Sequence, residues 1–381
     1  MRDMVEIGMG RTARRTYELG EINIVPSRRT RSSQDVSTGW QLDAYRFDIP
    51  VIAHPTDALV SPDFAIELGR LGGLGVLNGE GLIGRHADVE GCIARVVEAA
   101  DKQVDPAVPV RMLQQLHAAP LDLDLLGEAV ARVREAGVTT AVRVSPQNAQ
   151  ALTPTLVAAG IDLLVIQGTI ISAERVTQGR DGGEPLNLKT FISELDVPVV
   201  AGGVADHRTA LHLMRTGAAG VIVGYGSTAG VTTSDEVLGI SVPMATAIAD
   251  AAAARREYLD ETGGRYVHVL ADGDIHTSGE LAKAIACGAD AVMLGTPLAT
   301  AAEALGGGWY WPSAAAHPSL PRGALLQVAL GERPSLDRVL NGPSDDPFGS
   351  LNVVGGLRRS MAKAGYCDLK EFQKVELTVG S

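Results

Sequence analysis

Cysteine and aromatic residues are scarce in this sequence of 381 residues: it contains three cysteines, and aromatic side chains make up 4% of the chain. The cysteines, Cys92, Cys287 and Cys367, are far apart and show neither CxxC nor Cys/His ligand spacing. We therefore expect neither a disulfide framework nor a zinc site. Cys287, within LAKAIACGADAVML, has the surroundings of a small core residue.

Positive charge is also in deficit. Lys and Arg number 33 against 45 Asp and Glu, so the formal net charge is −12, which makes nucleic acid and anionic membranes poor partners. The sequence has no uncharged run of about 18 apolar residues, and its basic opening, MRDMVEIGMGRTARR, lacks the apolar core of a signal peptide. We expect a cytoplasmic protein that binds neither membranes nor nucleic acid.

Glycine and apolar residues, in contrast, are abundant, with 44 glycines and 45% hydrophobic residues. The length accommodates one barrel of about 250 residues with terminal extensions. Eight short apolar runs recur with helical stretches between them, and eight buried strands is the number that a closed parallel barrel requires. The predicted strands span residues 50–54, 74–78, 140–144, 163–167, 198–202, 220–224, 267–272 and 291–295.

Several helical stretches end in a glycine that precedes an apolar run, as in REAGVTTAVRV, VAAGIDLLVI, MRTGAAGVIV and ACGADAVML. Glycine there is typical of a helix C-cap and of the turn into a strand. An open doubly wound sheet has the same local pattern, but the count of eight favours an α/β fold of the (β/α)8 TIM-barrel type. We predict one domain over residues 1–381, with barrel strands beginning near residue 50, a flap-like loop at 306–323 and a C-terminal segment at 351–381.

Polar, glycine-rich segments follow the predicted strands, where the ligand face of such a barrel lies. They include HPTD, NGEG, QGT, DGDIHTSGE and GYGSTAGVTT. In the last segment, glycines let backbone amides approach a ligand, and hydroxyl groups can donate to it from Ser227, Thr228, Thr232 and Thr233. The alternative is a flexible barrel loop without a ligand.

Four single residues are candidates with an open alternative. Asp272 follows an apolar run and suits the vicinal hydroxyls of a ribose, but it could equally cap the next helix. Glu303 is either a buried acid or a solvated helix residue. His54 and His276 lie on ligand-side loops, where a lone histidine is more often exposed than functional.

Six stretches carry a family resemblance in the same order along nearly the whole chain: INIVPSRRTR, LGRLGGLGVLN, GISVPMATAIAD, VLADG, SGELAKAIACGADAVMLGTPLA and GGLRRSMAKAGYCDLKEFQKVELTV. They resemble the IMP dehydrogenase/GMP reductase family, in its short bacterial branch without the regulatory CBS pair. The resemblance implies a purine nucleotide over the barrel mouth beside a nicotinamide cofactor, NAD or NADP, with hydride passing between purine C2 and nicotinamide. It also implies a homo-oligomer, since members are commonly tetramers.

Matching positions imply roles for individual residues. Asp272 would hold the ribose, and Gly295 with Thr296 would present amides to the 5′-phosphate. Thr233 and Glu303 match a pair that assists proton transfer in the reductases. The nicotinamide side would be lined by Gln167, Thr169, Gly203, Gly224 and Gly226. Further substrate-side positions are Asp57, Ser227, Thr228, Ala229, Thr232, Gly273 and Asp274.

The sequence also departs from the family pattern. Val231 occupies the position of the cysteine that attacks purine C2, and valine has no lone pair, so the covalent route is closed there. Ala229 replaces a phosphate-binding serine, Thr56 a methionine, and Asp274 the second glycine of Ala-Asp-Gly-Gly. A carboxylate about 4 Å from a phosphate costs roughly 4 kcal/mol per charge pair at an effective dielectric near 20. If Asp274 points inward, a 5′-monophosphate is a poor ligand, whereas an outward Asp274 has no such effect.

Three functions remain open from the sequence. The first is an NAD(P)-dependent oxidoreductase that acts on a purine or purine-like nucleotide or nucleoside without a cysteine adduct. The second is a catalytically inactive member that binds a nucleotide or partners an active homologue. The third is a lyase or isomerase of specialised metabolism that reuses the barrel.

Overall fold

A computed structural model describes residues 4–102, 105–168, 186–226, 231, 235–320 and 322–380 of the chain. Short strands precede the barrel, and two antiparallel hairpins form among them, β1 with β2 and β4 with β5. Leu42 in the second hairpin is fully buried and shares an apolar space with the barrel residues Ile52 and Val165. These strands are β1 (Met4–Gly8), β2 (Arg11–Arg14), β3 (Ile22–Ile24), β4 (Trp40–Leu42) and β5 (Tyr45–Phe47).

The eight predicted apolar runs form eight parallel strands that close into one barrel, so the (β/α)8 prediction is confirmed. Every strand residue except Arg143 is buried, as expected for parallel strands that are covered on both faces. The strands are β6 (Val51–Ala53), β7 (Leu74–Asn78), β8 (Ala141–Val144), β9 (Leu163–Gln167), β10 (Val199–Val204), β11 (Gly220–Val223), β12 (His268–Asp272) and β13 (Ala291–Leu294).

Amphipathic helices cover the outside of the barrel. In the helix Leu123–Glu135, Leu126, Val130 and Val133 form the buried face, with the spacing of a helix that packs on one side. Asp122 caps the first turn of this helix. The helices up to the last barrel crossover are α1 (Pro62–Arg70), α2 (Val89–Asp101), α3 (Ala107–His117), α4 (Leu123–Glu135), α5 (Ala149–Ala159), α6 (Leu188–Ser193), α7 (His207–Met214), α8 (Asp235–Leu238), α9 (Met244–Thr262) and α10 (Ser278–Ala286). Within the described ranges, no helix combines the length and apolarity needed to cross a bilayer.

The turns from helix to strand use glycine as the sequence predicts. Gly137, Gly160, Gly217 and Gly288 all have positive φ angles, between 75° and 117°. Side chains with a Cβ rarely adopt this left-handed conformation, whereas glycine adopts it without strain. The repeated glycine is therefore a backbone requirement of the αβ turn.

After β13 the chain returns across the mouth of the barrel and then along its side. The predicted flap contains β14, which pairs with β15, and a 3-10 helix at Ser313–Ala316. The last strand, β16, pairs with β3 near the amino terminus. These elements are α11 (Thr296–Ala299), β14 (Trp309–Tyr310), β15 (Leu326–Gln327), α12 (Leu336–Asn341), α13 (Val353–Ala364), α14 (Leu369–Phe372) and β16 (Leu377–Val379).

A charged cluster joins α14 to the end of the barrel at which the strands begin. Its centre is Asp290, which directly precedes β13 and is 2% exposed. The carboxylate accepts hydrogen bonds from Arg255, Lys370, Tyr266, Gln373 and the Val269 backbone. A buried carboxylate needs such partners because ionised groups lose their hydration inside a protein.

His268 in this cluster should make stability depend on pH. Burial lowers the pKa of His268 from 6.5 to about 4, against the attraction of Asp290. Between pH 6.5 and about pH 4, His268 is protonated in the unfolded chain but neutral in the folded chain. The free energy of unfolding therefore falls as the pH decreases through this range. We expect this contribution, up to about 1.4 kcal/mol per pH unit, to disappear in His268→Gln when urea unfolding is measured across that window. The same loss in the surface variant His207→Gln would contradict the assignment.

Candidate functional site

A cavity of about 600 Å³ lies at the carboxyl ends of the barrel strands. Its walls come from the loops after several strands and from the flap. This is the face that the sequence predicted as the ligand face, and the volume is within the range of small-molecule sites. The polar and apolar residues that line it include His54, Glu80, Arg143, Gln167, Val231 and Tyr310.

Asp272 provides a buried carboxylate beside this cavity. It is the last residue of β12 and is 2% exposed. Gln167 donates from Nε2 to its Oδ2 at 2.6 Å, and His54 Nε2 lies 3.4 Å from the same oxygen. The cap of the following helix α10 is Thr277, so Asp272 is not an N-cap.

Gly226 keeps the space in front of this carboxylate open. A Cβ at residue 226 would lie 3.4 Å from His54 Nε2 and 3.8 Å from Asp272 Oδ2. Two other predicted glycines pack differently: a Cβ on Gly203 would meet the Gly224 carbonyl, and one on Gly224 would meet the Asp272 carbonyl, each at 2.0 Å. These two positions thus require glycine for contact between neighbouring strand ends.

The loops after β12 and β13 lie side by side, as the phosphate prediction requires. His276 contacts Thr296 Oγ1 through Nδ1 at 2.9 Å and lies 3.9 Å from Asp274 Oδ1. Asp274 is exposed. Gly273 packs on Met244, since a Cβ there would lie 2.8 Å from its sulfur.

Tyr310 of the flap joins this region to the cavity. It is buried, and a Cβ on Gly295 would lie 2.6 Å from its hydroxyl. Burial raises the pKa of Tyr310, and the charges of Asp272 and Asp274 raise it further, so the phenol stays protonated as a donor. Tyr310 was not singled out from the sequence, although the run WYW in the flap is an available signal.

Val231, which the family resemblance aligns with the missing cysteine, lines the cavity. Its backbone forms an isolated antiparallel bridge with Gly323 of the flap. The other predicted residues of this loop lie outside the described residues, as does one predicted nicotinamide contact; they are Thr169, Ser227, Thr228, Ala229, Thr232 and Thr233.

Glu303 and Asp57 have different surroundings. Glu303 is exposed, and its carboxylate accepts from the Leu336 backbone N–H at 2.8 Å, at the start of α12. Asp57 is buried and accepts from His117 Nε2 at 2.9 Å and from Leu82 N at 3.0 Å. Glu303 therefore binds the first turn of α12, whereas Asp57 binds His117, which lines the cavity.

A second polar group, partly buried, forms the wall between β7 and β9. Glu80 accepts from Arg143 at 2.9 Å and from Ser145 N and Oγ at 2.6 and 2.8 Å, and Asn148 also donates to it. Burial lowers the pKa of Arg143, and the charge of Glu80 opposes that shift. Sequence reasoning missed these roles, although Glu80 is in the ligand-side segment NGEG. Arg143 is also a lone charged residue within the predicted strand TAVRV.

The described residues contain no group of His, Cys, Asp and Glu side chains with metal-site geometry. Several charged groups of the cavity are paired with each other, as in His54–Asp272, His117–Asp57 and Arg143–Glu80, whereas Arg322 of the flap is exposed. A site of this kind can orient a hydroxyl-rich ligand and can move protons, since carboxylates and imidazoles are among its polar partners.

Comparisons with known proteins agree with this geometry. The model of the IMP dehydrogenase/GMP reductase domain matches residues 16–315. The chain is 88% identical over 378 residues to a protein from Mycolicibacterium smegmatis and 85% identical over 377 residues to one from Mycobacterium tuberculosis, both described as uncharacterized oxidoreductases. Each alignment covers 99% of this chain and 100% of the relative.

A solved structure shares the whole architecture. The IMP dehydrogenase/GMP reductase-like protein from Corynebacterium glutamicum superposes with a TM-score of 0.92 at 58% identity, over 99% of this chain and 98% of that one. An inosine-5′-monophosphate dehydrogenase from Aquifex aeolicus is 34% identical over 235 residues, which span 58% of this chain and 44% of that enzyme. The similarity to this named enzyme is therefore partial in length.

Proposed function

This chain belongs to the IMP dehydrogenase/GMP reductase family, and from that premise we propose that it is a nicotinamide-dependent oxidoreductase that binds a purine nucleotide or nucleoside without forming a cysteine adduct. The observation that carries this proposal is Asp272. Its carboxylate is buried at a strand end beside the cavity, and Gly226 leaves the space in front of it open. By family analogy we also propose a cytoplasmic homotetramer.

Asp272 would bind the ribose of the ligand. A carboxylate accepts two hydrogen bonds from a vicinal diol, and bonds to an ionised acceptor are stronger than neutral ones. Gln167 already donates to Oδ2 at 2.6 Å, which orients the carboxylate before a ligand arrives. The hydroxyls would then replace water, at little cost in reorganisation.

By family resemblance, the nicotinamide ring would lie beside the ribose on the side of the cavity that Gly226 lines. Gly226 has no side chain, so a flat ring would be able to approach its backbone closely. Gln167, Gly224 and Gly226 would hold the ring, together with Thr169 and Gly203. When bound, a nicotinamide dinucleotide supplies or accepts hydride.

Val231 determines how the ligand is held during reaction. Its side chain lines the cavity but offers no nucleophile. The substrate would therefore stay noncovalent, and its orientation would depend on Asp272 and on the Tyr310 hydroxyl. Tyr310, as a neutral donor beside Gly295, would serve the 5′ end of the ligand.

A second candidate function is nucleotide binding without turnover. It is favoured by the position of Glu303, whose carboxylate accepts from Leu336 N outside the cavity wall. In that case Asp272 would still bind a ribose. The two candidates differ in whether nicotinamide is consumed.

A cysteine in place of Val231 provides a direct test of purine binding. Because residue 231 lines the cavity, we expect a bound purine nucleoside or nucleotide to slow alkylation of Val231→Cys about tenfold at a ligand concentration of about ten times Kd. The measurement is mass spectrometry after treatment with iodoacetamide. Cys287 and Cys367, which are partly exposed, are internal references whose rates should not change.

A turnover assay separates the oxidoreductase from the nucleotide-binding protein. The purine nucleosides and nucleotides used in the alkylation experiment are incubated with NAD or NADP, and nicotinamide absorbance is followed. Ligand protection with nicotinamide turnover in the wild type supports the oxidoreductase. Protection without turnover supports the nucleotide-binding alternative. Equal alkylation rates with every purine would contradict both.

A further inference from the structure

Helix α3 brings an imidazole into the cavity that sequence reasoning did not include. His117 is the last residue of this helix, lines the cavity, and has a side chain that is 9% exposed. Its Nε2 lies 2.9 Å from Asp57 Oδ2. The two residues are 60 positions apart. They meet because α3, one of the three described helices between β7 and β8, ends beside Asp57.

The partner carboxylate is held in one position. The Asp57 side chain is 3% exposed, and its other oxygen accepts from the Leu82 backbone N–H at 3.0 Å. Gly81 leaves the room that this arrangement needs, because a Cβ there would lie 2.2 Å from Asp57 Oδ1. With both oxygens engaged, Asp57 fixes the ring of His117.

The end of α3 is also tied to its neighbours. His86 Nε2 contacts the Leu116 carbonyl at 2.9 Å, and Arg85 donates to the Ala119 carbonyl. On the other side of the helix, Gln114 donates to the His317 carbonyl in the flap at 2.7 Å. These bonds tie the end of α3 to two other segments, the turn at residues 85–86 and the flap.

The contact with Asp57 assigns the two ring nitrogens of His117. An ionised carboxylate can only accept, so Nε2 carries the proton and Nδ1 keeps its lone pair in the neutral ring. Across the described ranges, no hydrogen bond engages Nδ1 of His117. This nitrogen is not among the fully buried polar atoms without a partner, so it is accessible from the cavity. An accessible acceptor on a carboxylate-held imidazole is the arrangement of a general base.

Other charged groups face this pair from every adjoining element. Arg85 and His86 follow the 3-10 turn at 82–84, Glu80 and Arg143 form the opposite wall, and His317 and Arg322 lie on the flap. The charge of Asp57 acts on both Arg85 and Arg143. Two guanidinium groups, Arg85 and Arg143, and two carboxylates, Asp57 and Glu80, thus surround this part of the cavity.

We propose that His117, held by Asp57, takes up and returns one proton at Nδ1 from the ring N–H of an oxopurine bound in the cavity. This inference rests on the proposed function and adds to it a residue that moves a proton of the ligand. In the transfer, the ligand N–H bond breaks as an N–H bond forms at Nδ1. The positive ring is balanced by Asp57, and the reverse transfer restores both partners.

Histidine NMR tests the pair without a ligand. In protein carrying isotope-labelled histidine, the His117 signal is the one of eight that disappears in His117→Gln. We expect its nitrogen shifts to place the proton of the neutral ring on Nε2 in the wild type, and Asp57→Asn to lose that preference. The proton on Nδ1 in the wild type, or the same Nε2 preference in Asp57→Asn, would overturn the proposal. The nitrogen shifts of the wild type report that tautomer even if Asp57→Asn does not fold.

Calorimetry tests proton transfer to the ligand. Oxopurine nucleosides are titrated at neutral pH, in buffers of different ionisation enthalpy, into wild type, His117→Gln and the partly exposed control His207→Gln. We expect proton uptake or release on binding in the wild type and control, and its loss in His117→Gln. Binding with no proton exchange overturns this inference alone. Failure of every purine to bind overturns the proposed function and this inference with it.

Discussion

Replacement of Asp290 by alanine is expected to lower the free energy of unfolding by about 3 to 5 kcal/mol, the cost of leaving a buried charge without its counterion. Arg255, itself buried, donates to Asp290 Oδ2 at 2.7 Å, and Lys370 Nζ lies 2.5 Å from Oδ1. Without the carboxylate, Arg255 loses its ionic partner, and Tyr266 loses the acceptor of its hydroxyl at 2.8 Å. The substitution would also remove the ion pair between Lys370 of α14 and the barrel.

Urea unfolding at neutral pH measures this effect. A matched control is Asp63→Asn, which breaks an ion pair with Arg132 at 2.5 Å in which both side chains are 59% exposed. Exposed pairs contribute at most about 1 kcal/mol, so the control should change little. A loss below about 1 kcal/mol in Asp290→Ala would mean that the cluster does not stabilise the barrel.

The contribution of Asp290 should also vanish in acid. Burial raises the pKa of Asp290, but Arg255 and Lys370 outweigh it, and the pKa lies below its ordinary value of 3.8. The stabilisation is therefore complete above pH 3.8 and is lost as the pH falls through the lower pKa of the folded state. Wild type and Asp290→Ala should converge in stability only in that acid range.

Replacement of Asp272 by asparagine is expected to weaken binding of a purine ribonucleoside or ribonucleotide about 100-fold. Each hydrogen bond to a charged acceptor contributes about 1.5 to 3 kcal/mol, and about 1.4 kcal/mol corresponds to a tenfold change in Kd. Asparagine keeps the shape but removes the charge that two ribose hydroxyls would share. It can still accept from Gln167, so the local packing should survive.

Calorimetry with ribose and 2′-deoxyribose forms of one purine nucleoside isolates this interaction. The wild type should prefer the ribose form, and Asp272→Asn should lose most of that preference. The control is Asp196→Asn, which changes an exposed carboxylate that does not line the cavity. This variant should bind like the wild type. If Asp272→Asn bound the ribose form as tightly as the wild type, Asp272 would not be the ribose acceptor.

Parts of this molecule that depend on local sequence could be predicted, and parts that depend on distant contacts could not. The barrel strands were found because parallel strands covered on both faces appear as continuous apolar runs. Asp272 was identified because it directly follows such a run. By contrast, β3, β4 and β5 have three residues each and include exposed positions, so no continuous apolar run marks them.

The contacts that define the cavity wall span long separations in sequence. His117 meets Asp57 across 60 positions, and Gln167 meets Asp272 across 105. Nothing near His117 distinguishes it from a histidine at an exposed helix end. The donors to Asp290 are similarly spread from Arg255 to Gln373, so their convergence depends on the closed barrel.

Helix α3 belongs to the connection between β7 and β8, and those two strands hydrogen-bond directly to each other, for example at Val76 and Ala141. The register of the barrel at this point is consequently independent of what the connection contains. The connection could be exchanged between relatives as a cassette. Such a chimera would replace the wall that carries His117 while leaving Asp272 at the end of β12, so the proposed proton transfer and the proposed ribose contact could be altered one at a time.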